Sequence, residues 1–172
     1  MKSRIAPVLI AVVAGCVYAP QQNPPAANRT TVTLALPYDL AWDAVQTVVA
    51  NNQFHIVTAN PNDGTLEAEA PVPFTLQDAD CGALRGIAGK VNEEPDPDSS
   101  AVYDFTIKPI EREQSTVSVA ATFTAPLHVP LRPLSSVHCV SRGRQEARLL
   151  NEIQIEATRE HRPEPTHGNV LK

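Results

Sequence analysis

Thr116-Val117-Ser118-Val119-Ala120-Ala121-Thr122-Phe123-Thr124 sets Val117, Val119, Ala121 and Phe123 on one side of the chain at a period of two. That is the pattern of a strand buried on one face. Just upstream, Ala101 to Lys108 places Tyr103, Phe105 and Ile107 on one face in the same way. Glu111 to Ser115 between them is a polar reversal, so the two segments predict an antiparallel hairpin. Everything else in the chain is read by asking what could cover its apolar face.

Two segments answer with helical spacing. Asp39 is positioned to cap a helix running to Asn51, with Ala41, Ala44, Val45, Val48 and Val49 three and four apart and Trp42 beside them. Ser141 is positioned to cap a second, to about Glu160, whose Leu149, Leu150, Ile153 and Ala157 form a stripe while Arg144, Arg148, Glu152 and Glu156 face water. Before the first helix, Thr31 to Leu36 alternates Val32, Leu34 and Leu36 with polar residues until Pro37. After it, Phe54 to Thr58 and Thr65 to Ala70 flank the turn Asn60-Pro61-Asn62-Asp63-Gly64. Gln77 to Ser100 has little periodicity and predicts a loop, with a short helical turn near Leu84 to Ile87. Ala125 to Val140 reads as a proline-rich run. The order β-α-β-β-β-β-α predicts an α+β fold, a two-layer sandwich of an antiparallel sheet of about five strands with both helices on one face.

The chain has 172 residues, enough for one ordinary domain, and 42% hydrophobic against 19% charged residues excludes wholesale disorder. Lys and Arg number 14 and Asp and Glu 19, a net charge of -5. Such a balance offers no basic field for a phosphate backbone, so no nucleic-acid partner is expected.

The first sixteen residues form a separate unit. Lys2 and Arg4 precede an apolar run from Ile5 to Val13, followed by Ala14, Gly15 and Cys16, the pattern of an export signal too short to span a bilayer. Val13-Ala14-Gly15-Cys16 resembles the lipobox of bacterial lipoproteins. The resemblance implies cleavage before Cys16, a diacylglycerol on its thiol and acylation of the new amine. The alternative is an ordinary secretory signal in which Cys16 is incidental, or a buried cysteine of an N-terminal strand. Several acyl chains, at about 0.8 kcal/mol per buried CH2, would hold far more firmly than one. Val17 stands where Asp favours inner-membrane retention in enterobacterial lipoproteins, which implies the outer membrane. The expected organisation is a signal peptide over 1–15, a lipid anchor and stalk over 16–30, the α+β domain over 31–161 and a polar tail over 162–172. Pro20, Pro24 and Pro25 give the stalk an extended, polyproline-like character.

Cys81 and Cys139 remain once Cys16 is assigned to lipid, an even pair in a chain bound for an oxidising compartment. A disulfide between them would close a loop of about 57 residues and add roughly 4 kcal/mol by chain entropy. The alternatives are free thiols, or a metal site of Cys81, Cys139 and His138 with His128 or Asp80. No known ligand spacing appears for the latter, so no metal is expected.

Ala41-Trp42-Asp43-Ala44-Val45, the following strand, and Asn62-Asp63-Gly64-Thr65-Leu66-Glu67-Ala68-Glu69 resemble the domains of BamC-type outer-membrane lipoproteins over Leu36 to Ala70. Cys139-Val140-Ser141-Arg142-Gly143-Arg144-Gln145-Glu146 is similar to uncharacterised lipoproteins with a late cysteine entering a C-terminal helix. The chain departs from the first family in having one domain where its members have two.

No Ser-His-Asp order, Gly-x-Ser-x-Gly elbow, P-loop or His-Glu-x-x-His occurs. Asp78 and Asp80 could pair as carboxylates or bind calcium, but such acids more often belong to a solvated loop. His55 reads as a structural histidine, Trp42 as core, and Arg142, Arg144 and Arg148, interleaved with Glu146 and Glu152, as a mixed solvated face. The chain is therefore expected to be no enzyme and to need no cofactor. It is expected to be a lipoprotein held at the outer membrane by acylated Cys16, facing the periplasm and meeting other envelope proteins. The alternative expectation is a carrier of lipid or a small apolar ligand, with its pocket between sheet and C-terminal helix.

Overall fold

A computed structural model of the chain describes residues 31–81, 98–127 and 135–160. The expected signal peptide, Cys16, the expected stalk, the turn expected near Leu84 to Ile87, His128 and residues 162–172 lie outside the described residues.

The sequence of elements is β1 (Thr31–Leu34), α1 (Tyr38–Asn51), β2 (His55–Asn60), β3 (Thr65–Glu69), β4 (Ala79–Asp80), β5 (Ser100–Glu111), β6 (Gln114–Leu127), β7 (Ser135–Ser141) and α2 (Arg144–Glu160). The fold is α+β, one antiparallel sheet in the order β2-β3-β5-β6-β7-β4, with β1 pairing on β6. Among the described residues seven strands form it, two more than the periodicity indicated, and the sheet stays open, with β2 at one end and β4 at the other.

Its spine is the β5–β6 hairpin, in continuous register from Ser100↔Thr124 to Pro109↔Ser115. Ala101, Tyr103, Phe105 and Ile107 of β5 and Val117, Val119 and Phe123 of β6 are buried against the helices. The other edge of β6 is shared: β1 takes Ser115 to Ser118, and β7 takes Phe123 to Leu127. Pairing with β5 extends no further than Thr124, so Pro126 lies where β6 is bonded on one side only among the described residues, the setting that tolerates a missing N–H. The proline-rich run is thus partly sheet.

Helix α1 buries Ala41, Trp42, Ala44, Val45, Val48 and Val49, the expected face. Its N-cap is Pro37 and not Asp39; Asp39 sits in the first turn, where a negative charge suits the helix dipole. At the other end Gln53 adopts φ 57°. The Gln53 amide donates to Ala50 O at 2.9 Å and the Phe54 amide to Val49 O at 3.1 Å, a Schellman exit built without glycine. Phe54 then stacks on Tyr103 at 5.1 Å, which meets Phe123 edge-on at 6.2 Å; Phe74 closes the group at 4.9 Å from Phe123. Leu149, Leu150, Ile153 and Ala157 of α2 complete the core. Each such large side chain contributes about 1.5–3 kcal/mol by burial.

One glycine has no substitute. Gly64 holds φ +68° in the β2–β3 turn, and a Cβ there would lie 2.1 Å from the carbonyl oxygen of Ile107. The Ile107 amide donates to Gly64 O at 2.8 Å, so the turn is stitched to the end of β5.

Candidate functional site

The densest polar structure lies where β4, β7 and the first turn of α2 meet. Asp80 pairs with Val140 and Ala79 with Ser141, so continuing the register sets Cys81 opposite Cys139. The two cysteines stand at disulfide distance, 58 residues apart in sequence. A bond at this position would fasten a two-residue strand that backbone pairing alone would hold weakly.

Asp78 and Asp80 are not a solvated loop: they are 4% and 8% exposed. Docking of β4 against β7 carries both beneath the start of α2. Asp78 Oδ2 accepts from the Thr75 amide at 2.9 Å and the Thr75 hydroxyl at 2.7 Å, and Oδ1 accepts from Gln145 Nε2 at 2.8 Å. Burial alone would raise the carboxyl's pKa, but the Thr75 and Gln145 hydrogen bonds and the Arg144 charge outweigh it and hold the group below its ordinary value. The Arg142 amide donates to Asp78 O at 2.8 Å, Arg142 Nε to Leu76 O at 3.1 Å, and its guanidinium lies 3.4 Å from Asp80. These contacts clasp residues 75–80 to the N-terminus of α2.

Ser141 does not cap α2 directly. Gly143, at φ +70°, precedes the helix, and its carbonyl accepts from the Ala147 amide. Ser141 Oγ accepts from the Gly143 amide at 2.9 Å, a turn closed by its own hydroxyl, and donates to Glu146 Oε1, which ties the entry segment to the first turn of the helix. Glu146 is 3% exposed, and its Oε2 has no hydrogen-bond partner among the described residues. Tyr103 lies near both acids. Burial first, then Asp78 and more weakly Glu146, push its phenol far up against the opposing pull of Arg148, so the hydroxyl stays protonated.

The remaining singled-out residues are dispersed. His138 is exposed, with Nδ1 3.4 Å from Thr124 Oγ1. Among the described residues no group of three or more His, Cys, Asp or Glu side chains is placed to hold a metal. His55 lies exposed on β2 and Trp42 in the core. Arg144 bonds Gln77, while Arg148 bridges Gln145, Asn52 and Glu152, the last at 2.6 Å. Thr75, Gln145, Glu146 and Tyr103 were not legible as a unit with Asp78. The available signal was the cysteine pair: placing it across two antiparallel strands aligns Asp80 with Val140 and draws the acids inward.

A second feature lies at the opposite end of α2. An open groove of about 430 Å³ runs between β1 and the last turns of the helix, lined by Thr33, Leu34, Ala35, Leu36, Gln154, Ala157 and Thr158. Phe105, Phe123, Leu149 and Ile153 fill the space between sheet and helices behind it. Among the described residues no helix is long and apolar enough to cross a membrane. No family model matches the chain, and no curated protein matches it.

Proposed function

We propose that the chain is a lipid-anchored bacterial envelope lipoprotein, held at the outer membrane by acylated Cys16, whose domain is a non-catalytic, periplasm-facing protein-interaction module. The observation that carries this reading is the unit from Lys2 to Cys16, a cationic start, an apolar run and a lipobox-like end. The cysteines at disulfide distance support it, because such a bridge belongs to an oxidising compartment. The clasp supports the non-catalytic part: Asp78 spends both oxygens on donors from its own chain, and Tyr103 is held protonated.

Cys16→Ser tests the anchor. The variant is expected to lose palmitate labelling and to leave the membrane fraction; unchanged membrane retention and labelling would refute the proposal. The open groove beside β1, apolar along Leu34, Leu36 and Ala157, supports a second reading, a carrier of lipid or another small apolar ligand. Native mass spectrometry of the purified protein separates the two, a retained apolar ligand favouring the carrier.

A further inference from the structure

We infer that β2 is a strand-addition edge that takes an extended segment of a partner protein, one combining apolar and basic side chains. The inference rests on the interaction-module reading and names the surface and the partner's chemistry. β2 ends the sheet, and all six of its residues are exposed. Edge strands are ordinarily guarded by charge, proline, shortness or a covering element. β2 carries no proline and no Lys, Arg, Asp or Glu, and among the described residues its one guard is a bulge between Ile56 and Thr58. Ile56 and Val57 are 41% and 48% exposed, an apolar pair beside a row of main-chain groups open to pairing. The other two edges differ: α2 packs against β1, and β4 is two residues long.

Charge decides the occupant. Leu66 and Ala68 of β3 face the core, so alternation sets Glu67 and Glu69 on the open face, one strand inward from β2. Glu67 stands opposite Asp104 of β5, a like-charge cross-strand pair that disfavours the bare sheet and that nearby cations would offset. Asp63 borders the same edge at the β2–β3 turn. A second copy of this chain would bring the same acids and a net charge of -5 against them. A strand carrying Lys or Arg at alternate positions would bring long side chains over the acidic row while its apolar residues meet Ile56 and Val57.

The test uses the full-length native protein in detergent with a synthetic ten-residue peptide of alternating Lys and Val, read by amide hydrogen exchange. Exchange at β2 is expected to slow at least tenfold. A Glu-Val peptide is expected to leave it unchanged, and Glu67→Gln with Asp104→Asn to weaken Lys-Val binding at least fivefold while the thermal transition is kept or raised. The inference is overturned by an absence of protection, by equal protection from the Glu-Val peptide, by protection at the β1 groove instead, or by concentration-dependent protection of β2 without peptide, which would mean self-pairing. Photo-crosslinkers at Val57 and at exposed Ile155 in cells distinguish the levels of failure. Crosslinks to protein at Ile155 alone would keep the interaction module and overturn the β2 surface, and crosslinks at neither would overturn both.

Discussion

Replacing Cys81 and Cys139 together by Ser removes the link between β4 and β7 and leaves two backbone register pairs, Ala79↔Ser141 and Asp80↔Val140, in its place. With the two cysteines 58 positions apart in sequence, the chain-entropy relation gives about 14 cal/mol/K, or about 4 kcal/mol at 25 °C. For a domain of this size each kcal/mol moves the midpoint by roughly 3–5 °C, so the melting temperature is expected to fall by about 12–20 °C. The Asp78 clasp survives the substitution, so loss of order is expected to begin at β4, with its amides exchanging fastest while those of β5 and β6 stay protected. Circular dichroism melting with and without reductant checks the magnitude, and thiol titration of the unfolded, unreduced protein checks the bond. Reductant is expected to lower the midpoint of the native protein and to leave the double variant unmoved. Two titratable thiols in the native protein, or a shift smaller than about 3 °C, would refute the reasoning.

Three further outcomes follow from local geometry. Gly64→Ala meets Ile107 O at 2.1 Å in a left-handed backbone, and is expected to lose about 3–5 kcal/mol in urea titration. Gln53→Gly relieves the left-handed strain at the exit of α1, and is expected to gain about 0.5–1 kcal/mol in the same assay. Because the folded pKa of Asp78 lies below its unfolded value, its contribution is complete above the ordinary carboxylate range and lost as pH falls through the folded value. Asp78→Asn is therefore expected to cost about 1–3 kcal/mol at pH 7 and to flatten the fall in stability below about pH 4.

The parts of the fold legible in the sequence are those whose partners impose a period. Tyr103, Phe105 and Ile107 against Val117, Val119 and Phe123 announce the central hairpin, and the stripes of α1 and α2 announce its cover. β4 escaped because two residues carry no period, and β7 because Ser135 to Ser141 mixes polar and apolar groups along an interrupted edge of β6. Their pairing is non-local and shows in sequence only through the cysteines. Asp78 reads as solvated in its own stretch; its burial depends on Thr75 and on Gln145, 67 residues away. Phe54 to Thr58 reads as an ordinary strand, whereas β2, at the sheet's end, leaves Ile56 and Val57 open to solvent.

That Cys16 bears fatty acyl chains is tested most directly by intact-mass analysis of the protein purified from bacterial membranes. The expected mass is that of a chain beginning at Cys16 with a diacylglyceryl group and a further acyl chain added. A chain beginning at any other residue, or beginning at Cys16 with no acyl mass, would contradict it.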